Sequence, residues 1–382
     1  MSLLKVKNFG QINQAHLNFG DLTVLVGPQA SGKSIVLQLL KLLLDYGQIQ
    51  QELNRYGLDW ERDLNKFLNV YFGEGMHSLY KNNTQIQWKG TTIDLSNKAA
   101  RMQKSKHESL FFIPAQRVLA LRDGWPRPFT DYSSGDPFIV REFSEKLRIL
   151  MEQELRSSDN LFPQQGRLKK EMRDLLQKHI FSNYSLNIDK LRSQKRLVLG
   201  AEQNGNALPY MVWSAGQREF VPLLLGLYWL MPPSRVAMKN KIKWVVLEEI
   251  EMGLHPHAIS VVLLFVFELL LRGYKVCLST HSPQVLDALW AVKRLAENSA
   301  RPEAFLRLFD VNPSQPMREL AESMMNKVYN VYYFDRSSGY TVDISNLDPA
   351  SDRDAESDWG GLVEFSGRAN ELVAQAVNEA KR

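Results

Sequence analysis

The sequence has one cysteine, Cys277, in 382 residues. No disulfide can form within the chain, and a reducing, cytoplasmic setting is the default expectation. Cys277 lies in the strand-like run YKVCLST and reads as a small core hydrophobe. Long apolar runs are missing too. The opening MSLLKVKNFGQ has no stretch of the kind that directs secretion. The most apolar segment, ISVVLLFVFELLL (residues 259–271), is interrupted by Glu268 and closed by Arg272. It is too short to cross a bilayer and predicts a helix buried against a sheet, so no membrane contact is expected. A strong excess of one charge is also absent. The net charge of +5 permits contact with nucleic acid without requiring it. The length suffices for about two domains.

The pattern of runs predicts an α/β fold. Residues 2–9 and 13–19 read as short strands, and LTVLV (22–26) as a strand covered on both faces. An apolar helix runs from Lys33 to about Asp45, and residues 46–83 look helical and partly amphipathic. TQIQWKGTTIDLS (84–96) alternates around Lys89-Gly90 as a hairpin does. LFFIPAQ (110–116) is a buried strand stopped by Pro114. Asp, Gly, Pro and Ser gather between 120 and 136, after which 137–157 and 166–180 read as two charged helices. RLVLGAEQNGNALPYMVW (196–213) predicts a hairpin turning at Asn204-Gly205. WVVLEE (244–249) and KVCLST (275–280) are buried strands separated by the 256–272 helix. That βαβ rhythm implies a parallel sheet. VYNVYYFDR (328–336) and YTVDI (340–344) suggest a late hairpin.

Gly27-Pro28-Gln29-Ala30-Ser31-Gly32-Lys33-Ser34 fits G-x-x-x-x-G-K-[ST] between a predicted strand and a predicted helix, the context this motif requires. Its glycines let backbone N–H groups curl round a phosphate. The helix N-terminus adds partial positive charge. Lys33 is expected to reach the β- and γ-phosphates of a nucleotide, and Ser34 to give an oxygen to Mg²⁺. WVVLEEIE ends in two carboxylates that point to opposite sides of the strand. Glu248 is expected to hold Mg²⁺ through its water shell and Glu249 to polarise an attacking water. STHSP sets His281 after the next strand, suited to hydrogen-bond a γ-phosphate oxygen. Gln116, in FIPAQR, carries an amide suited to Mg²⁺ or to the attacking water. Arg117 beside it is either a phosphate contact or a salt-bridge partner. VWSAGQREF (212–220) then opens a second helix at Ser214, by ordinary capping chemistry that also receives anions.

The order of GPQASGKS, Gln116, SAGQ, VVLEE and STHSP resembles the ABC-type ATPase core. More narrowly it looks like the SMC/RecF/OLD-like branch, whose cytoplasmic members are AAA-family ATP-binding proteins. LLKVKNFGQI…LNFGDLTVLVGP is similar to that branch's N-terminus, and EEIEMGLHPHA to the E-E-P-E-x-x-L-H-P pattern of OLD-like ATPases. The likeness covers residues 1–45, 110–118 and 210–290. It implies a P-loop NTPase head with a mainly parallel sheet and an antiparallel β part. The core would comprise 1–118 and 200–300, with a short, arm-like helical insertion over 119–199 and a hairpin-plus-helix extension over 301–382. It also implies ATP and Mg²⁺ as ligands, and a homodimer or higher homo-oligomer in which Ser214, Gly216 and Gln217 complete the partner's ATP site. Gln29 stands where the branch often has Asn, Glu248 where Asp is commoner, and Ile250 where OLD-like members have Pro.

OLD nucleases also carry a Toprim domain, for which the residues after STHSP leave little room. Asp343, Asp348, Asp352, Asp354, Glu356 and Asp358 fall in a loop-like stretch that reads as a solvated linker or docking segment sooner than as a metal site. WGGLVEFSGRANELV (359–373) is expected to pack on the core or on another subunit. The basic runs RLKKEMRDLLQK (167–178) and KLRSQKR (190–196) either contact nucleic-acid phosphates or form solvated faces. The leading expectation is a Mg-dependent ATPase that dimerises through composite ATP sites and switches a separate effector protein, in a bacterial anti-phage or toxin–antitoxin-like system. The alternative is a DNA-repair or chromosome-associated ATPase that clamps nucleic acid.

Overall fold

The computed structural model describes residues 2–103, 105, 107–156, 159–164, 166–189, 195–201, 207–232, 238–239 and 241–380. Its central sheet has the order Leu110–Ile113, Trp244–Glu248, Lys275–Ser279, Leu22–Val26, Tyr329–Phe334, Thr341–Asp343. The first five strands are parallel and the last is antiparallel. The register sets Ile113, Leu247, Leu278, Val24 and Val331 in one row. Every residue of the Leu22, Leu110 and Trp244 strands is buried. Alternate residues feed opposite cores, which explains the unbroken apolar runs. Val24, Ile113 and Leu247 pack with the helices Ala215–Leu230 and Pro256–Leu271. Leu25, Phe112, Val246 and Cys277 pack with the helix Lys33–Arg55.

A four-stranded antiparallel sheet covers this second core, in the order Ile12–Phe19, Ser2–Phe9, Tyr80–Trp88, Thr91–Thr92. The Lys89-Gly90 turn forms with both residues at positive φ, 52° and 84°, as a tight hairpin requires. The return strand stops sooner than the alternation suggests. Asp94 accepts from the N–H groups of Ser96 (2.8 Å) and Asn97 (3.2 Å) and so caps a short helix, Leu95–Ala99.

The helix that follows the phosphate-loop motif also departs from its expected end. It runs to Arg55, but Asp45 does mark a break, with φ −123° and ψ 22°. The Asp45 carboxylate accepts from the N–H groups of Ser109 (2.7 Å) and Leu110 (2.9 Å) at the start of the sheet's edge strand. Lys41 is fully buried beside it, 3.0 Å from Asp45, 2.7 Å from Glu108 and 3.3 Å from Glu142. This ion cluster ties the helix to the sheet edge and to the helix Phe138–Ile149.

Residues 119–199 do hold two helices, Phe138–Ile149 and Lys170–Leu176, but these do not stand out as an arm. Phe143, Leu147, Met172 and Leu176 are buried in the same cluster as the central sheet. The segment also gives the strands Asn160–Phe162 and Tyr184–Asp189, and most of Arg196–Ala201, to a second antiparallel sheet, ordered Ala207–Pro209, Arg196–Ala201, Tyr184–Asp189, Asn160–Phe162. The expected hairpin therefore forms, while its Asn204-Gly205 turn lies outside the described residues. Much of the basic character is consumed internally. Arg167 is buried and donates to Tyr228 O (2.6 Å), Lys169 pairs with Glu268, and Arg196 with Asp189 (2.9 Å). Lys190 and Arg192 lie outside the described residues.

The late hairpin is part of the core sheet, with Tyr329–Phe334 as its fifth parallel strand. In the acidic stretch, Glu356 is buried and accepts from Asp348 N (3.3 Å) and Ser351 Oγ (3.1 Å), so it orders the loop. Trp359 is buried and donates to Asp287 Oδ1 (2.8 Å). Beyond it, the helix Glu364–Ala380 leaves Phe365, Leu372 and Val373 exposed. Packing on the core is thus met at Trp359 and not along the helix. Among the described residues, no helix is long and apolar enough to cross a membrane.

Candidate active site

Five parallel strands end along one edge of the sheet, so the loops that leave them converge there, where open α/β sheets bind ligands. Gly27 leaves the strand Leu22–Val26 with φ 138°, and a Cβ there would lie 2.5 Å from Phe334 O. Only glycine fits this passage. The loop closes at Gly32, the N-cap of the Lys33 helix, where no side chain caps the first-turn amides. Those amides are available to an anion. Lys33 is buried and donates to Gly27 O (2.7 Å), Pro28 O (2.7 Å) and Ser31 Oγ (3.3 Å). Burial lowers its pKa to about 8, opposed by Glu249, Glu251 and Glu248, so the ammonium stays charged at neutral pH. Residues 29–34 line a pocket of about 230 Å³ together with Gln11, Ile35, Glu249 and His281.

Glu248 ends its strand fully buried. Its Oε2 accepts from Ala115 N–H (3.1 Å), while Oε1 is buried without a partner. Burial pushes its pKa up to about 7, against the pull of the Ser34 hydroxyl and the Ala115 N–H. A buried carboxylate oxygen lacking a partner, close to a loop hydroxyl, is a donor set that fits a hard cation such as Mg²⁺. Glu249 is different in kind. Its φ of 44° is strained for a non-glycine residue, and its N–H donates to Ser279 O (2.9 Å). Its carboxylate lies 3.7 Å from His281 Nε2. This contact with His281, against the effect of burial, holds Glu249 below the usual carboxylate range, so it is anionic at neutral pH.

The shift on Glu248 carries a prediction with two opposite signs. A cation bound there must displace a proton below pH 7. Mg²⁺-dependent nucleotide affinity is therefore expected to rise about tenfold per pH unit up to that point and then level off. Without ligand, the raised pKa stabilises the fold at acid pH, and the gain is lost as pH rises through about 7. Glu248→Gln is expected to raise the unfolding free energy of the ligand-free protein at alkaline pH by up to about 3 kcal/mol. Denaturant titrations at acid and alkaline pH check this, and Mg²⁺ titrations check the first part.

The other expected residues divide. Gln116 is exposed, directly after the Ala115 that binds Glu248, and among the described residues it makes no side-chain hydrogen bond. Arg117 is fully buried and does not line the pocket. Its guanidinium donates to Glu219 O (3.1 Å), Glu248 O (2.9 Å) and Glu249 O (3.1 Å), with the Glu219 carboxylate 3.6 Å away. Of its two readings, the salt-bridge partner holds. Ser214, Gly216 and Gln217 do not line the pocket either. Ser214 Oγ accepts from Gln217 N (3.2 Å) while Gln217 Oε1 accepts from Ser214 N (3.1 Å), a capping box. The helix start is exposed at Ser214, and Met211 and Val212 before it are exposed as well. A Cβ on Gly216 would lie 2.7 Å from Gly253 O, so this glycine permits a close backbone crossing.

Two residues of the site escaped the sequence reading. Gln11 sits in the turn between the first two strands and donates to Ala30 O (3.4 Å). Glu251 accepts from His281 N–H through Oε1, while its Oε2 is buried without a partner. A third carboxylate within EEIE was the available signal for Glu251. Gln11 gave none.

The family described as "AAA domain, putative AbiEii toxin, Type IV TA system" matches residues 22–287, well over half of the chain. The chain belongs to this AAA-domain family. The AAA-type ATPase kinship expected from the motifs is thereby shown. A comparison with curated proteins gave no match. Among solved structures, an SMC head bound to the C-winged helix domain of ScpA aligns over 89% of this chain and 95% of that one, at 10% identity and a TM-score of 0.42. The SMC head domain from Thermotoga maritima aligns over 90% and 98%, at 11% identity and a TM-score of 0.34. A bacterial ABC transporter cassette, solved as a dimer, aligns over 88% and 95%, at 12% identity and a TM-score of 0.34.

Proposed function

We propose that this AAA domain is a Mg-dependent ATPase that dimerises through shared ATP sites and switches a separate effector protein. One observation carries the reading: Lys33, Ser34, Glu248, Glu249 and His281 gather at one sheet edge, while the Ser214 helix start is exposed away from that pocket. Mg²⁺, held by Ser34 and Glu248, would neutralise charge on the β- and γ-phosphate oxygens. Lys33 exchanges contacts with its own loop carbonyls for phosphate oxygens. Glu249 takes the proton of the attacking water, and His281 orients Glu249 and donates to the phosphate. Gln116, free to move beside Glu248, positions the water. The exposed start at Ser214, with Gly216 and Gln217 behind it, offers its N-terminal amides to the nucleotide of a second copy. The family description, with its toxin–antitoxin setting, supports a bacterial defence or toxin–antitoxin role in which the ATPase state gates an effector. A nucleic-acid clamp draws less support, since Arg167, Lys169 and Arg196 are tied into internal contacts.

Ser214→Arg tests the shared site. The P-loop is untouched, so nucleotide binding by the single chain is expected to persist. Hydrolysis is expected to fall about 100-fold or more, as when a donor to the reacting phosphate is lost. Parent-like hydrolysis by this variant would contradict the shared site.

A further inference from the structure

Arg117 takes no part in the reaction as proposed, yet its guanidinium is among the largest fully buried groups of the protein. A guanidinium has five N–H donors in a fixed plane. Here they reach two elements far away in sequence. One donates to Glu219 O, inside the helix that starts at Ser214 (3.1 Å). Two others donate to Glu248 O (2.9 Å) and Glu249 O (3.1 Å), the carbonyls of the carboxylate turn. The Glu219 carboxylate lies 3.6 Å from Arg117 Nε, and its buried Oε2 has no hydrogen-bond partner. The same helix and turn meet a second time, where Gly216 crosses Gly253 so closely that a Cβ would lie 2.7 Å from Gly253 O. Glu249 itself holds a positive φ of 44°, a strained conformation that persists only when its surroundings fix it.

We propose that Arg117 is a positioning residue that locks the carboxylate turn to the Ser214 helix. A displacement of that helix start then moves the Glu249 carboxylate with it. The inference rests on the proposed function and gives it a route of communication. Contact between Ser214 and a partner's nucleotide then reaches this chain's own Glu249 through the Arg117 side chain. Lysine cannot replace it, because its donors share one nitrogen, whereas the three carbonyls are met by three separate nitrogens of the guanidinium plane.

The test compares ATP binding and steady-state hydrolysis for the parent, Arg117→Lys and Arg117→Ala, the last with and without millimolar guanidinium chloride. Arg117→Lys is expected to keep ATP affinity and KM near the parent's while kcat falls about 100-fold, the effect of a misplaced catalytic group. Arg117→Ala is expected to lose at least as much and to recover in part with added guanidinium, which leaves the parent unchanged. An Arg117→Lys enzyme with parental kcat would overturn the proposal. A folded Arg117→Ala enzyme that guanidinium does not revive would overturn it as well. Should Arg117→Ala not fold, Arg117→Lys decides alone. A parent without hydrolysis would remove the proposed function and this inference together, whereas an active parent beside an unimpaired Arg117→Lys enzyme would remove only the role of Arg117.

Discussion

Lys33→Ala is expected to weaken MgATP binding by about 100-fold or more, roughly 3 kcal/mol, the loss when one partner of a buried charge contact is removed. Lys33 is the one cation among the residues that line the described pocket. Its ammonium is held by Gly27 O and Pro28 O, on the loop that would wrap a phosphate. Three carboxylates offset the effect of burial and keep it charged. The substitution leaves those carboxylates without their counter-charge, and a polyphosphate brought beside them is repelled. Titration with a fluorescent ATP analogue checks the result. Parental affinity would mean that the loop does not hold the nucleotide.

Glu249→Gln is expected to lower kcat by about 1,000-fold while ATP still binds, because an amide of the same shape cannot take a proton from water. Glu249 suits that role in a way Glu248 does not. His281 favours the anionic form of the Glu249 carboxylate, which is partly exposed at the pocket. Glu248 is buried, with a pKa of about 7 and an oxygen directed to no partner. In the proposed mechanism two adjacent residues divide the work, one for a cation and one for a proton. Single-turnover measurement of phosphate release at saturating ATP separates loss of chemistry from loss of binding.

The parts of the site legible in the sequence are those carried by contiguous residues at strand ends. Residues 27–34, Glu248, Glu249 and His281 each follow a buried apolar run, and parallel pairing of those runs brings their ends to one edge. What escaped depends on contacts between distant segments. Arg117 is legible as a salt-bridge candidate, but its contacts with the carbonyls of Glu219 and Glu248, across 102 and 131 residues, are not. Lys41 lies on a helix whose apolar surround gives no hint of Glu108 and Glu142. The strand Tyr329–Phe334 pairs with Leu22–Val26 from far along the chain, so a sequence reading sees only its hairpin partner. The segment 119–199 reads as an arm because of its place in the resemblance, between the two parts of the core. The apolar residues of its helices nonetheless reach the core.

The most direct test of the central claim is the mass of Glu249→Gln in solution, by light scattering, with and without saturating MgATP. The account predicts a monomer that doubles in mass when the nucleotide is added and returns on its removal. A mass that MgATP leaves unchanged, in a variant shown to bind it, would contradict the account.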